Sequence, residues 1–218
     1  MSQNEPSLPT WNADVSHSNL GFKVKHKAIS YTVGDFRDFD LTVQTPNPAS
    51  FENATIKMII QTGSINTANA SRDKHLCGPD FFDATPYPQI IFTSKKIRLK
   101  EGNTYEVLGE LSMHGVTKEL TLLMIHNGTV KTRRGNELAG LYFSTTFKRS
   151  DFNIGEEMST TVVADEIELN ATLVDVNANL DVSGTYTGGG LMTTGGNIVI
   201  FLILDTEAVP PPPSALRQ

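Results

Sequence analysis

Residues 165–173 read "DEIELNATL", and their side chains alternate without a break: Ile167, Leu169, Ala171 and Leu173 on one side, Glu166, Glu168, Asn170 and Thr172 on the other. Successive side chains of an extended chain point to opposite faces, so the pattern describes a β-strand with one oily and one wet face. The same period recurs upstream about every ten to fifteen residues. Leu20, Phe22, Val24 and His26 oppose Lys23, Lys25 and Lys27; Phe39, Leu41 and Val43 oppose Asp40, Thr42 and Gln44. Ile56, Met58 and Ile60 mark a third strand. In "QIIFTSKKIRL" (89–99) the phase is ambiguous, because Ile90 and Phe92 compete with Ile91. Three further sets follow: Tyr105, Val107, Leu111 and Met113; Val116, Leu120, Leu122 and Met124; Leu141, Phe143, Thr145 and Phe147.

These patterns predict eight strands, mostly joined by short polar turns such as "KEGNT" (100–104) and "RRGNE" (133–137). One-sided alternation in consecutive strands calls for antiparallel pairing over a single core. The expected fold is therefore all-β: an extended eight-stranded antiparallel β-barrel, since closure removes exposed edges. A two-sheet sandwich has the same periodicity. However, strands of ten to thirteen residues reach roughly 33–43 Å at about 3.3 Å per residue, which is long for a sandwich. Phe22, Phe39, Met58, Phe92, Met124 and Phe143 fall on the inward face. They either line a tube that takes an elongated apolar guest or fill it as a closed core.

Composition narrows the partners. The chain has 218 residues, a net charge of −6 and no massed basic patch, which argues against nucleic acid. Cys77 is the only cysteine, so no intrachain disulfide forms. The N-terminus "MSQNEPSLPT" lacks the basic and apolar regions of a signal peptide. A cytoplasmic location is expected, with an exported protein already freed of its leader as the alternative. The longest apolar run, Ile198–Leu204, is too short to span a bilayer, so stable membrane insertion is not expected. Three parts are expected: an N-terminal segment 1–10, the barrel 11–175, and a Gly- and Pro-rich tail 176–218 with no assigned role.

Between the third and fourth expected strands, residues 64–90 are too long for a hairpin turn. "NASRDKHLCG" (69–78) offers an N-cap at Asn69 or Ser71 and a stop at Gly78 and Pro79, hence a short helix across one barrel end. The following "SRDKHLCGPDFFD" cluster (71–83) is dense in chemistry, but its spacing is poor for catalysis. His75 is two residues from Cys77, and helix positions two apart do not face each other. The histidines show no metal-ligand spacing. Arg72 has Asp73, Asp80 and Asp83 as prospective ion partners, and Asp73 could equally cap the helix.

The order of "VKHKAISYTVGDFRDFD" (24–40), "GSINTANASRDKHLCGPDFFDATPYPQIIFTS" (63–94), "YEVLGELSMHGVTKELTL" (105–122) and "FKRSDFNIG" (147–155) resembles the YceI-like family of lipocalin-like, polyisoprenoid-binding proteins. The resemblance covers about residues 11–175. It implies a barrel holding one long-chain amphiphile (a polyisoprenoid, an isoprenoid quinone or a fatty amide) with its tail along the bore and its head near the mouth. It implies no cofactor and no catalytic chemistry. The expected ligand-binding positions carried over from the family are Phe22, Val24, His26, Phe36, Phe39, Arg72, His75, Phe81, Phe82 and Phe92; inward strand phase adds Met58, Met124 and Phe143. His26, which faces the bore by phase, is expected to make a polar contact with the head group or a trapped water, while Arg72 and Asp73 are expected mainly to pin the helix. Cys77 and Gly78 depart from the family pattern, which leads one to expect an arginine and a serine. A homodimer fits a barrel of this type. Two rival readings stand beside the carrier: an enzyme using His26 or His75 on an amphiphile, and a closed-core, stress-related interaction module.

Overall fold

In the computed structural model, which describes residue 8 and residues 10–47, 49–132 and 137–177, the described chain forms one antiparallel sheet of eleven strands. They are β1 (Thr10–Ala13), β2 (Asn19–His26), β3 (Ser30–Phe36), β4 (Phe39–Gln44), β5 (Thr55–Gln61), β6 (Ile65–Asn66), β7 (Gln89–Glu101), β8 (Thr104–Met113), β9 (Val116–Lys131), β10 (Glu137–Lys148) and β11 (Val163–Asn177). One helix, α1 (Ala70–Leu76), lies between β6 and β7. The sheet curls until β1 pairs on both sides, Trp11 lying opposite Val43 of β4 and opposite Asn177 of β11. Residues 1–7 and the tail from 178 onward lie outside the described residues.

The expected count of eight strands is corrected to eleven. The additional three are β1, β3 and β6, and each lacks a period-two apolar signal. β1 has four residues and β6 two. In β3 the pattern is inverted: Tyr31 and Val33 are outward and exposed, whereas Thr32 and Gly34 occupy the other phase. These pieces arise where a strand bends sharply. A 3-10 turn (Val15–His17) separates β1 from β2, yet both lie along β11. Another 3-10 turn (Thr62–Ser64) separates β5 from β6, and only Arg37 and Asp38 separate β3 from β4. The strand region also runs slightly past the expected bounds, from Thr10 to Asn177.

The inward faces follow the alternation. Leu20, Leu41, Ile56, Val107, Leu141, Ala171 and Leu173 are all buried. In β7, Ile90 and Phe92 point inward; a bulge between Ser94 and Lys96 then resets the phase so that Ile97 is buried. Two glycines make room for rings on the wall. A Cβ on Gly34 would sit 2.4 Å from the Phe22 ring, and one on Gly109 would sit 2.4 Å from the Phe92 ring.

Strand direction sorts the connections into two ends. Segments 27–29, 67–88, 114–115 and 149–162 gather at what we term the upper end. Segments 45–54 and 102–103 lie at the lower end, with the start of β1.

Candidate functional site

The sheet brings most of the expected ligand-binding residues into one interior. Val24, Phe36, Phe39, Met58, Phe92, Met124 and Phe143 are buried, and Phe22 is half-buried against the same cluster. An interior void wide enough for water would leave its walls exposed. Yet Met124, Leu141, Val107 and Leu173 are 0% exposed and Phe143 is 1% exposed. At mid-height the expected open tube is therefore filled by its own side chains, at the close packing usual for protein interiors. His26 ends β2 at the upper lip, half-buried and in register with Val163 and Ser30.

Arg72 and His75 stand outside this interior. Asn69 caps α1, its side-chain oxygen accepting from the Arg72 amide at 3.0 Å. Arg72 does not pair with Asp73, Asp80 or Asp83, a correction to the expected ion network. Its Nε donates to the Thr67 hydroxyl at 2.7 Å and an Nη donates to the Thr67 carbonyl at 2.8 Å. Asp73 accepts from the Thr67 amide at 2.8 Å and from the Thr67 hydroxyl. Both side chains thus grip one buried threonine and pin the helix to β6. The physical reason is proximity: Thr67 follows β6 directly, and its backbone groups need partners once buried.

This anchoring delivers aromatic residues to the upper end. Phe82 packs edge-on against Phe36 at 6.0 Å, and Phe36 in turn meets Phe22 at 5.8 Å. Phe81 is buried and carries the His75 ring edge-on at 5.1 Å. A groove of about 200 Å³ lies beside it, lined by His75, Asp80, Phe81, Gly155, Glu157 and Met158. On its rim, the His75 Nε2 meets Asp80 at 3.0 Å.

The sequence reading missed Arg149 as a determinant of this end. Arg149 is 5% exposed and spends all five N–H groups on backbone carbonyls. Nε donates to Ala164, one Nη to Ile154 and Gly155, the other to Met158 and Val163. One guanidinium thereby shapes the whole connection from β10 to β11. Desolvation raises the Asp165 carboxyl's pKa, but hydrogen bonds from Ser150 and the nearby Arg149 and Lys148 charges outweigh it and hold the group below its ordinary value. The signal was available in "FKRSDFNIG", where a lone arginine stands among turn formers.

Cys77 is not set up as a nucleophile. Burial and the Asp73 charge push its thiol up, opposite to what an attacking thiolate needs. His114 is engaged elsewhere, its Nδ1 lying 3.0 Å from the Phe152 carbonyl and its ring edge-on to Tyr87. Among the described residues no three His, Cys, Asp or Glu side chains gather closely enough to hold a metal.

The lower end is closed differently. Phe51 is 1% exposed and touches Trp11, Tyr105 and His126 edge-on or tilted, at 6.2, 6.3 and 4.9 Å. Trp11 is wholly buried, and its Nε1 finds no acceptor among the described residues.

A family model described as the YceI-like domain matches residues 11–174. UPF0312 proteins of Yersinia pestis (strain Pestoides F) and Pectobacterium carotovorum are each 35% identical over 155 residues, 70% of this chain and 78% of theirs. The Campylobacter jejuni YCEI protein superposes with a TM-score of 0.66 at 35% identity, covering 77% of this chain and 96% of its own. Burkholderia cenocepacia BcnA gives 0.68 at 28% identity, covering 74% and 98%. A polyisoprenoid binding domain from Saccharophagus degradans shares the fold, with a TM-score of 0.60 at 16% identity over 78% and 99%.

Proposed function

As this chain belongs to the YceI-like family, we propose that it binds one long-chain amphiphile inside the curled sheet and acts as a carrier or store rather than a catalyst. The observation that carries the reading is the asymmetry of the apolar column. Below, it ends in fully buried Trp11 and Phe51; above, it ends in half-buried Phe22, Leu76, Phe82 and Phe147. A polyisoprenoid, an isoprenoid quinone or a fatty amide suits such a column, and the name of the Saccharophagus degradans domain points the same way.

Because the interior is filled, a guest must take space now held by side chains. Met58 and Met124 are unbranched and adaptable, and they yield at lower cost than branched residues. Burying a chain of fifteen carbons contributes on the order of 10 kcal/mol at roughly 0.8 kcal/mol per methylene. Repacking and association entropy offset part of that. Tail length therefore sets affinity, and the head group sets orientation. The polar groups beside the column are His26 at the lip and the His75–Asp80 pair on the groove rim. A cytoplasmic store and a homodimer both fit this role.

The packed middle of the interior also favours a second reading, a closed-core interaction module. Native mass spectrometry of freshly purified protein, followed by organic extraction and titration with isoprenols of increasing length, separates the two. The proposal expects bound lipid in unit stoichiometry and affinity that climbs with each isoprene. Absence of extractable lipid, together with an unchanged melting temperature at saturating isoprenol, sinks it in favour of the closed module.

A further inference from the structure

One stretch of the wall is not laced. β9 and β10 pair from Lys131 opposite Glu137 as far as Leu123 opposite Ser144, and there the ladder stops. Neither strand ends. β9 stays paired with β8 down to Val116 opposite Met113, and β10 stays paired with β11 up to Lys148 opposite Glu166. Three steps beyond the last pair, Phe147 and Leu120 would have faced each other. Instead, an open-sided cavity of about 340 Å³ lies there, lined by Leu120, Thr146, Phe147, Lys148, Asp151 and Glu166.

The lining itself shows that the cavity cuts into the wall. Leu120 and Phe147 share the inward phase of Leu122, Met124, Leu141 and Phe143, whereas Thr146, Lys148 and Glu166 share the outward phase. Residues from opposite faces of a sheet line the same space only where the sheet is interrupted. Leu120 and Phe147 are half-buried and packed on the core, while their neighbours lower on the same strands, Met124 and Phe143, are 0% and 1% exposed. Phe147 meets buried Phe152 edge-on at 5.6 Å, so one half-buried ring stands between the slit and the interior. A side-chain bond bridges the mouth at its lower edge, the Thr145 hydroxyl donating to the Thr121 carbonyl at 3.0 Å.

We propose that this slit between β9 and β10 is the lateral door by which the apolar tail of an amphiphile enters and leaves, with Phe147 as its gate. The proposal rests on the lipid-binding reading above. The door admits a single alkyl or isoprenoid chain, and the polar end passes along the rim formed by Lys148, Asp151 and Glu166. Side entry accounts for how a tail reaches an interior whose lower end is sealed and whose upper end is strapped by two hydrogen-bonded connections.

The test closes the slit covalently. Leu120→Cys and Phe147→Cys, in a Cys77→Ser background, are joined by oxidation or, if the sulfurs do not meet, by dibromobimane. Stopped-flow fluorescence then follows uptake and release of dansyl-tagged undecanoic acid by the full chain. Uptake and release are both expected to slow at least tenfold when closed, and reduction restores both in the oxidised form. A second variant, Phe147→Ala, is expected to speed uptake at least threefold. Closed protein that takes up the probe at the open rate, or Phe147→Ala at the unsubstituted rate, overturns the door while leaving lipid binding intact. If the unsubstituted chain binds no probe at any concentration, the lipid reading falls and the door falls with it.

Discussion

The two ends of the curled sheet are shut by different physics. The lower end is an apolar plug: Phe51 wedged among Trp11, Tyr105 and His126, with the indole N–H left without an acceptor among the described residues. The upper end is a pair of polar straps, one tied at Thr67 by Arg72 and Asp73, the other drawn around Arg149. Opening a plug exposes oily surface, and nothing in water compensates for that. A hydrogen-bonded strap exchanges its partners for water, so each bond contributes only about 0.5–1.5 kcal/mol net. The plug therefore costs more to open than the straps do.

The largest effect should come from the plug. Phe51→Ala removes a buried ring from a packed cluster and should cost about 3–5 kcal/mol of stability in urea unfolding. A loss below about 1 kcal/mol would mean that the lower end is not sealed by packing, and the contrast between the ends would break. Next comes Arg149→Met, which strands five carbonyls without a donor and should cost about 2–3 kcal/mol. Arg149→Lys should recover little, because a compact ammonium cannot spread over the same carbonyls.

A smaller change sharpens the comparison. Thr67→Val deletes only the hydroxyl that links Arg72 and Asp73, at about 1 kcal/mol. Limited proteolysis should nevertheless cut segment 67–88 several-fold faster, since the strap loosens before the barrel melts. Unchanged cleavage would show that α1 is held by its aromatic contacts instead.

The smallest effect is electrostatic. Burial, opposed by a hydrogen bond with the Gly128 backbone, holds His126 below its ordinary value of 6.5. A histidine depressed in the folded state binds its proton first in the unfolded chain. Its contribution is therefore fully present above about pH 6.5 and is lost as pH falls through the lower folded value. Thermal melts from pH 7.5 to 5 should show a decline that His126→Gln flattens; an identical slope in both proteins would remove His126 from the lower plug's energetics.

Much of this architecture was legible in the order of residues. β5 and β8 follow their alternation position by position, down to buried Met58 and Val107, and β11 buries Ala171 and Leu173 on its expected inward face. The Asn69 cap and the helix it starts were equally readable, because capping is a local event. β3 was not, since its inward positions carry Thr32 and Gly34 and its outward ones Tyr31 and Val33. The Arg72 partner was misjudged because Thr67 offers a polar backbone that only the bend after β6 presents to it. The slit at Phe147 has no local signature at all: the residues alternate as if the ladder continued.

Alone, the sequence determined what depends on near neighbours: which faces are oily, where the chain turns, and that the strands must share one apolar interior. Only the tertiary structure decided that this interior is filled at mid-height, that Arg149 gathers the β10–β11 connection, and that the wall parts between β9 and β10. Those outcomes turn on which distant segments compete for the same space and the same hydrogen bonds, and no window of neighbouring residues records that competition.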